Sequence, residues 1–155
     1  MATRSGSDAR LGSMLVVLQL ALLAWLALKG VAGLRAGRLP VDAVLVAAAA
    51  VALGLWALSA NRPGNFNIRP QPRAGGQLVQ HGPYRWIRHP MYSALLLAGV
   101  AAARGAGDVE TWLVLAALAV VLVIKANVEE RELTERYPAY RAYQRHTRRF
   151  MPGLY

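Results

Sequence analysis

VDAVLVAAAAVALGLWALSA, Val41–Ala60, is the stretch that decides the fold. Its only charged residue, Asp42, sits at the edge. An α-helix rises ~1.5 Å per residue, so about 20 apolar residues cover the hydrocarbon core of a bilayer. A helix on the surface of a soluble bundle carries a polar stripe along one side. Val41–Ala60 has none, and neither has the run from Trp112 to Ile124. Both read as membrane spans.

Outward from this stretch the same pattern recurs. In Leu11–Leu28 only Gln19 is strongly polar, and Met91–Ala103 and Thr111–Ile124 follow. The last two are short, but each can be extended. Pro90 suits the first turn of a helix, so the third span is expected to start at His89 or Pro90. The fourth is expected to continue through Lys125 into Val128, with the lysine snorkelling to the interface. Arg4 and Arg10 ahead of the first block resemble a signal peptide, but the spans that follow favour an uncleaved helix. Alanines recur every fourth residue at Ala43 and Ala47 and at Ala94, Ala98 and Ala102, which lets membrane helices approach closely. The expected fold is an all-α, multi-pass membrane bundle of about four transmembrane helices with a cytoplasmic helical tail. It forms one domain over 1–155, with two spans in 1–60, a loop and motif in 61–90, a helical hairpin in 91–128 and the tail in 129–155.

The chain is 55% hydrophobic yet carries a formal net charge of +10 over 155 residues. A nucleic-acid binder would account for the charge but not for the apolar blocks. With four spans, 14 of the 18 Lys and Arg residues fall on the side of the termini and central loop, against 4 on the other. The positive-inside rule then places both termini in the cytoplasm. The charge reads as topology and contact with membrane lipids, so no nucleic-acid partner is needed. Without cysteine there is no disulfide framework, thiolate metal site or cysteine nucleophile. His81 and His146 are expected to be solvated, and the scattered histidines make no metal site. Neither a dinucleotide-binding glycine motif nor a hydrolase triad is present. Asn61–Gly76, rich in Pro, Gly, Asn and Arg, reads as an irregular loop.

Two polar clusters remain. HGPYRWIRHPMY, His81–Tyr92, precedes the third span, and EERELTERYPAYRAYQRHTRRFMPGLY, Glu129–Tyr155, continues the fourth. The third and fourth spans are joined by the short Arg104–Glu110 turn, so they run antiparallel. Their far ends, and with them the two clusters, must lie side by side. Carboxylates at the membrane boundary are costly unless paired or solvated. Glu129 and Glu130 are therefore candidate site residues, with Arg88, His89 and Lys125 as their partners. Arg131, Glu132, Glu135 and Arg136 read as a solvated helix extension. Tyr137, Tyr140 and Tyr143 fit an aromatic belt at headgroup level or a stacking wall for a heterocycle.

These clusters resemble the isoprenylcysteine carboxyl methyltransferase family of integral membrane methyltransferases. The matching residues are Gly82, Tyr84, Arg88, His89, Pro90 and Tyr92, then a hairpin, then Glu129–Glu130, then Tyr137, Tyr140, Tyr143 and Pro152. The resemblance covers about half of the chain. It implies S-adenosylmethionine as cofactor, bound in a cytoplasmic pocket roofed by the tail. It implies cofactor contacts from Gln77, Leu78 and Val79, from Tyr84, from His89, Pro90, Met91 and Tyr92, and from Glu129 with Glu130 beside it. Arg88 and His89 are the implied catalytic pair. Arg88 and Lys125 would meet a lipophilic or lipid-linked acceptor. Lys125 stands where arginine is usual, which keeps the charge and gives up the bidentate fork. Two other readings stay open at this point. One is an NADPH-dependent reductase of the sterol-reductase type, which has a similar RH segment and tail. The other is a membrane scaffold whose clusters bind only lipid headgroups.

Overall fold

A computed structural model describes residues 2–61 and 78–151, with side chains from Arg10 onward. The expected contacts of Gln77 and Pro152, and most of the central loop, lie outside the described residues. Among the described residues five α-helices follow one another: α1 (Ala2–Arg35), α2 (Val41–Ala60), α3 (Pro90–Ala106), α4 (Val109–Arg136) and α5 (Tyr140–His146). A 3-10 turn, Gly82–Arg85, precedes α3. Among the described residues there is no strand, and the sole β-type pairing is an isolated parallel bridge between Ile87 and Arg148. The all-α membrane bundle expected from the apolar blocks is the observed fold.

Among the described residues three helices are long and apolar enough to cross a membrane: Arg10–Arg35, Val41–Ala60 and Val109–Arg136. The 17 residues of α3 extend only ~26 Å, at the lower limit for a span. This short helix is the centre of the bundle and packs against α1, α2 and α4. Pro90 opens it at the first helical position and Gly107, at φ 71°, closes it in the left-handed conformation. Leu26 of α1, Ala103 of α3 and Leu115, Leu118 and Leu122 of α4 form the buried apolar core. The outer faces of α1, α2 and α4 expose leucine and valine, as helices facing lipid do.

Small residues bring α3 and its neighbours together. A Cβ on Gly30 would stand 3.3 Å from the Ala102 Cβ, and one on Gly33 would overlap the Gly105 carbonyl. At the end of the bundle remote from the polar clusters, Lys29 Nζ meets both Asp108 Oδ2 and Glu110 Oε2 at 3.1 Å. There too Arg104 Nη2 meets Asp42 Oδ2 at 2.6 Å. Asp108 also caps α4 by accepting from the Thr111 amide at 2.8 Å and hydroxyl at 2.7 Å. The Thr111 bonds, with Lys29 behind them, hold the Asp108 carboxyl down to about 2. Exposed pairs of this kind are screened by solvent and add little, so the close crossing at the glycines is the stronger constraint. Gly33→Ala is expected to force α1 away from α3 and cost about 1–3 kcal/mol. Thermal unfolding of the purified protein in detergent should show a clear drop in Tm.

Candidate functional site

The site is built where α3 begins and α4 ends. The 3-10 turn seats against the end of α2: Gly82 has φ 60°, and a Cβ there would lie 2.7 Å from that of Ala60. Glycine is required on both counts. The turn delivers Arg88 and His89 to the mouth of α3, with His89 as its N-cap. The tail returns across them. The Arg88 and His89 amides donate to the Arg148 and Arg149 carbonyls at 2.8 and 3.0 Å, and the Arg148 amide donates to the Trp86 carbonyl at 2.8 Å. The Ser93 hydroxyl donates to the Phe150 carbonyl at 2.6 Å. The two clusters are thus neighbours, as the hairpin requires.

Glu130 is the hub of this junction. Its Oε1 accepts from Arg88 Nε at 2.8 Å, His89 Nε2 at 3.1 Å and Arg149 Nε at 3.2 Å. Its Oε2 accepts from Arg149 Nη2 at 2.9 Å and Gln144 Nε2 at 3.1 Å. The rest of Arg88 is turned to the tail, where Nη1 donates to the Thr147 carbonyl at 2.5 Å and the Gln144 carbonyl at 3.3 Å. Glu130 is therefore spent on protein donors. Its side chain is 6% exposed, whereas that of Glu129 is 20% exposed.

Glu129 is the more open carboxylate. It accepts from the Tyr92 hydroxyl and lies 3.4 Å from His89 Nδ1. The rings of His89 and Tyr92 stack at 5.3 Å with only 4° between their planes, and Phe150 is tilted against both. Both His89 nitrogens thus face carboxylates, an arrangement that suits the doubly protonated ring. Burial disfavours that cation, but the bonds to Glu129 and Glu130 outweigh it and hold His89 above its ordinary pKa. Burial and the charge of Glu129 push the Tyr84 phenol up to about 12, so it stays neutral.

Several expectations are corrected here. Lys125 does not snorkel outward. It is 1% exposed, donates to Gln19 Oε1 at 2.5 Å and lies 5.3 Å from the centre of the Tyr92 ring. Its place is inside the bundle, between α1, α3 and α4. Tyr140 and Tyr143 form neither a belt nor a wall. Both are buried with rings 5.7 Å apart, and the Tyr143 hydroxyl donates to the Tyr84 carbonyl at 2.7 Å. They dock the tail onto the motif. Leu78 and Val79 form half-buried coil ahead of the 3-10 turn, Pro90 is buried and Met91 half-buried in the first turn of α3. His81 and His146 are exposed, as expected, and no metal-type cluster of His, Cys, Asp and Glu occurs among the described residues. Sequence reasoning missed Gln19, Gln144, Thr147 and Arg149. Only Gln19 had a signal of its own, as the one strongly polar residue in an apolar span.

A membrane-embedded helical hairpin whose mouth joins an Arg-His-Pro motif to a glutamate pair coincides with a known family. The model of the phospholipid methyltransferase family matches residues 41–140. The chain belongs to the phospholipid methyltransferase family. That family lies within the isoprenylcysteine-carboxyl-methyltransferase-like superfamily, so the resemblance holds. The protein is an integral membrane methyltransferase, which sets aside the reductase and scaffold readings. No curated protein matches the chain. The match begins at α2 and ends at Tyr140, so α1 and most of the tail that reaches Glu130 lie outside it.

Two outcomes test the junction. Glu130→Gln keeps the shape but leaves Arg88 and Arg149 without their buried counter-charge, a loss of about 3–5 kcal/mol. Limited proteolysis should then cut residues 137–151 faster than in the wild type. For His89 the folded pKa is raised, so its contribution is complete below the unfolded value of about 6.5 and fades as pH rises through the folded one. Tm should fall as pH is raised from roughly 6 to 9, and His89→Gln should flatten that slope.

Proposed function

We propose that the protein transfers a methyl group from S-adenosylmethionine to an amine in a phospholipid headgroup, at the cytoplasmic face of the membrane. The observation that carries this reading is Glu129: a partly exposed carboxylate, beside stacked aromatic rings, at the mouth of a membrane hairpin. The donor set fits the cofactor. A carboxylate suits the ammonium of its amino-acid end, and the faces of Tyr92 and Phe150 suit a sulfonium. When bound, S-adenosylmethionine would supply an electrophilic methyl group: the N–C bond would form as the S–C bond breaks, with S-adenosylhomocysteine as the leaving group and the proton of the amine passing to water.

Such a displacement needs positioning and exclusion of water more than acid–base power. The rings of Tyr92 and Phe150 provide an apolar boundary at the site. Tyr92 holds Glu129 in place through its hydroxyl. His89 bridges Glu129 and Glu130, so it acts as a fixed cation that orients both. Arg88 and Glu130 act as positioning residues, fastening the tail over the motif. Tyr84 stays protonated near Glu129, with its hydroxyl bonded to the Asn61 side chain. The phospholipid acceptor is supported by the family, and the 14-to-4 distribution of Lys and Arg supports the cytoplasmic placement of site and termini.

The reading is tested by titrating the detergent-purified protein with S-adenosylhomocysteine in a calorimeter. Wild type should bind it, and Glu129→Gln should weaken binding at least tenfold, about 1.4 kcal/mol, with Tm little changed. Absence of binding by folded wild-type protein would sink the assignment of the cofactor.

A further inference from the structure

Two exposed residues of the 3-10 turn and its edge, Arg85 and Trp86, take no part in the Glu130 junction. They meet Trp56, one turn before the end of α2. The rings of Trp56 and Trp86 stand 5.7 Å apart, tilted by 57°, and the two residues remain 46% and 48% exposed. Gly82 permits this approach, since a Cβ there would lie 3.4 Å from Trp56 Nε1. The Arg85 guanidinium lies over the Trp86 ring, 5.4 Å from its centre. Arg148 is tied to the same residue: its amide donates to the Trp86 carbonyl at 2.8 Å, and it too is exposed.

The protein does not balance these charges as it balances its others. Arg88 and Arg149 pair with Glu130, Arg104 with Asp42, and Lys29 with Asp108 and Glu110. Among the described residues no carboxylate pairs with Arg85 or Arg148. A ring face engages a guanidinium through its charge and leaves its N–H donors for an anion. Depth indicates what that anion is. The apolar helix α2 ends at Ala60, so Trp56 stands at the membrane boundary, the level that indoles prefer. A phospholipid fits both halves of the patch: its phosphate meets the arginines and its glycerol and upper acyl chains cover the rings. A zwitterionic lipid also brings an ammonium, which two uncompensated arginines repel. A lipid of net negative charge brings none.

We infer that Trp56, Arg85, Trp86 and Arg148 form a docking surface for a phospholipid of net negative charge. The inference goes beyond the proposed function and stands without it. It gives the tail a second hold: Glu130 grips Arg149 from inside the bundle, and the lipid grips Arg148 from outside.

The test uses the detergent-purified full chain and the fluorescence of its 4 tryptophans. Mixed micelles carry phosphatidylglycerol or phosphatidylcholine with the same acyl chain, brominated near the headgroup so that it quenches adjacent indoles. Half-maximal quenching of the wild type should need about tenfold less phosphatidylglycerol than phosphatidylcholine. In the double variant Trp56→Phe, Trp86→Phe, the remaining Trp25 and Trp112 should distinguish the two lipids by less than about twofold. The double variant Arg85→Gln, Arg148→Gln should keep all its tryptophans and its Tm, and its preference should drop below about threefold. Equal quenching of the wild type by the two lipids would overturn the docking surface, with no variant needed. A full preference that persists in either double variant would overturn it too.

Discussion

One buried carboxylate organises the working end of this molecule. Glu130 draws Arg88 and His89 from the motif, and Gln144 and Arg149 from the tail, onto the last turns of α4. An ionised carboxylate offers about four lone-pair directions, and here five donor contacts fill them. Desolvating so many charges is expensive, so the net gain in stability over an apolar contact is small. The cluster determines position instead. Apolar residues could pack the tail against α3 in many registers, whereas charged hydrogen bonds with directional geometry permit one. The parallel bridge between Ile87 and Arg148 and the bond from Ser93 to Phe150 then follow from that register.

The bundle below is shaped to deliver this junction. A helix as short as α3 can lie at the centre only if its neighbours approach closely, and glycine and alanine at the crossings with α1 allow it. The tight turn at Gly107–Asp108 returns the chain antiparallel, and the Asp108 cap with its Lys29 contact steadies the turn. Fixing the hairpin at one end fixes what lies opposite what at the other. Arg88 and Glu130 are 42 positions apart in sequence and 2.8 Å apart in space for that reason.

Much of this was legible in the residues themselves. The absence of a polar stripe in Val41–Ala60 gave the membrane, and the short Arg104–Glu110 link gave the antiparallel pair and hence the meeting of the clusters. Pro90 marked the start of α3. Less visible was the division between the two glutamates, because adjacent residues on a helix point about 100° apart and only the tertiary structure says which faces inward. The same limit applied to Lys125. From its position at the end of an apolar run, snorkelling outward was the natural expectation; its inward direction depends on Gln19 of a helix far away in sequence. The tail tyrosines misled for a related reason. A three-residue spacing puts Tyr140 and Tyr143 on one side of a helix whether that side meets lipid, a ligand or the protein.

Lysine rather than arginine at 125 fits its surroundings. A guanidinium brings five donors and a planar fork, and inside α1, α3 and α4 each donor left without a partner would be costly. An ammonium brings three. Gln19 takes one of them, and the face of Tyr92 lies alongside. The charge is compact enough to sit one turn below Glu129 without reaching the tail junction, where Arg88 and Arg149 already fill the Glu130 carboxylate. Tyr92 lies against both groups, with Gln19 on the α1 side of the lysine and His89 beside Glu129 at the start of α3.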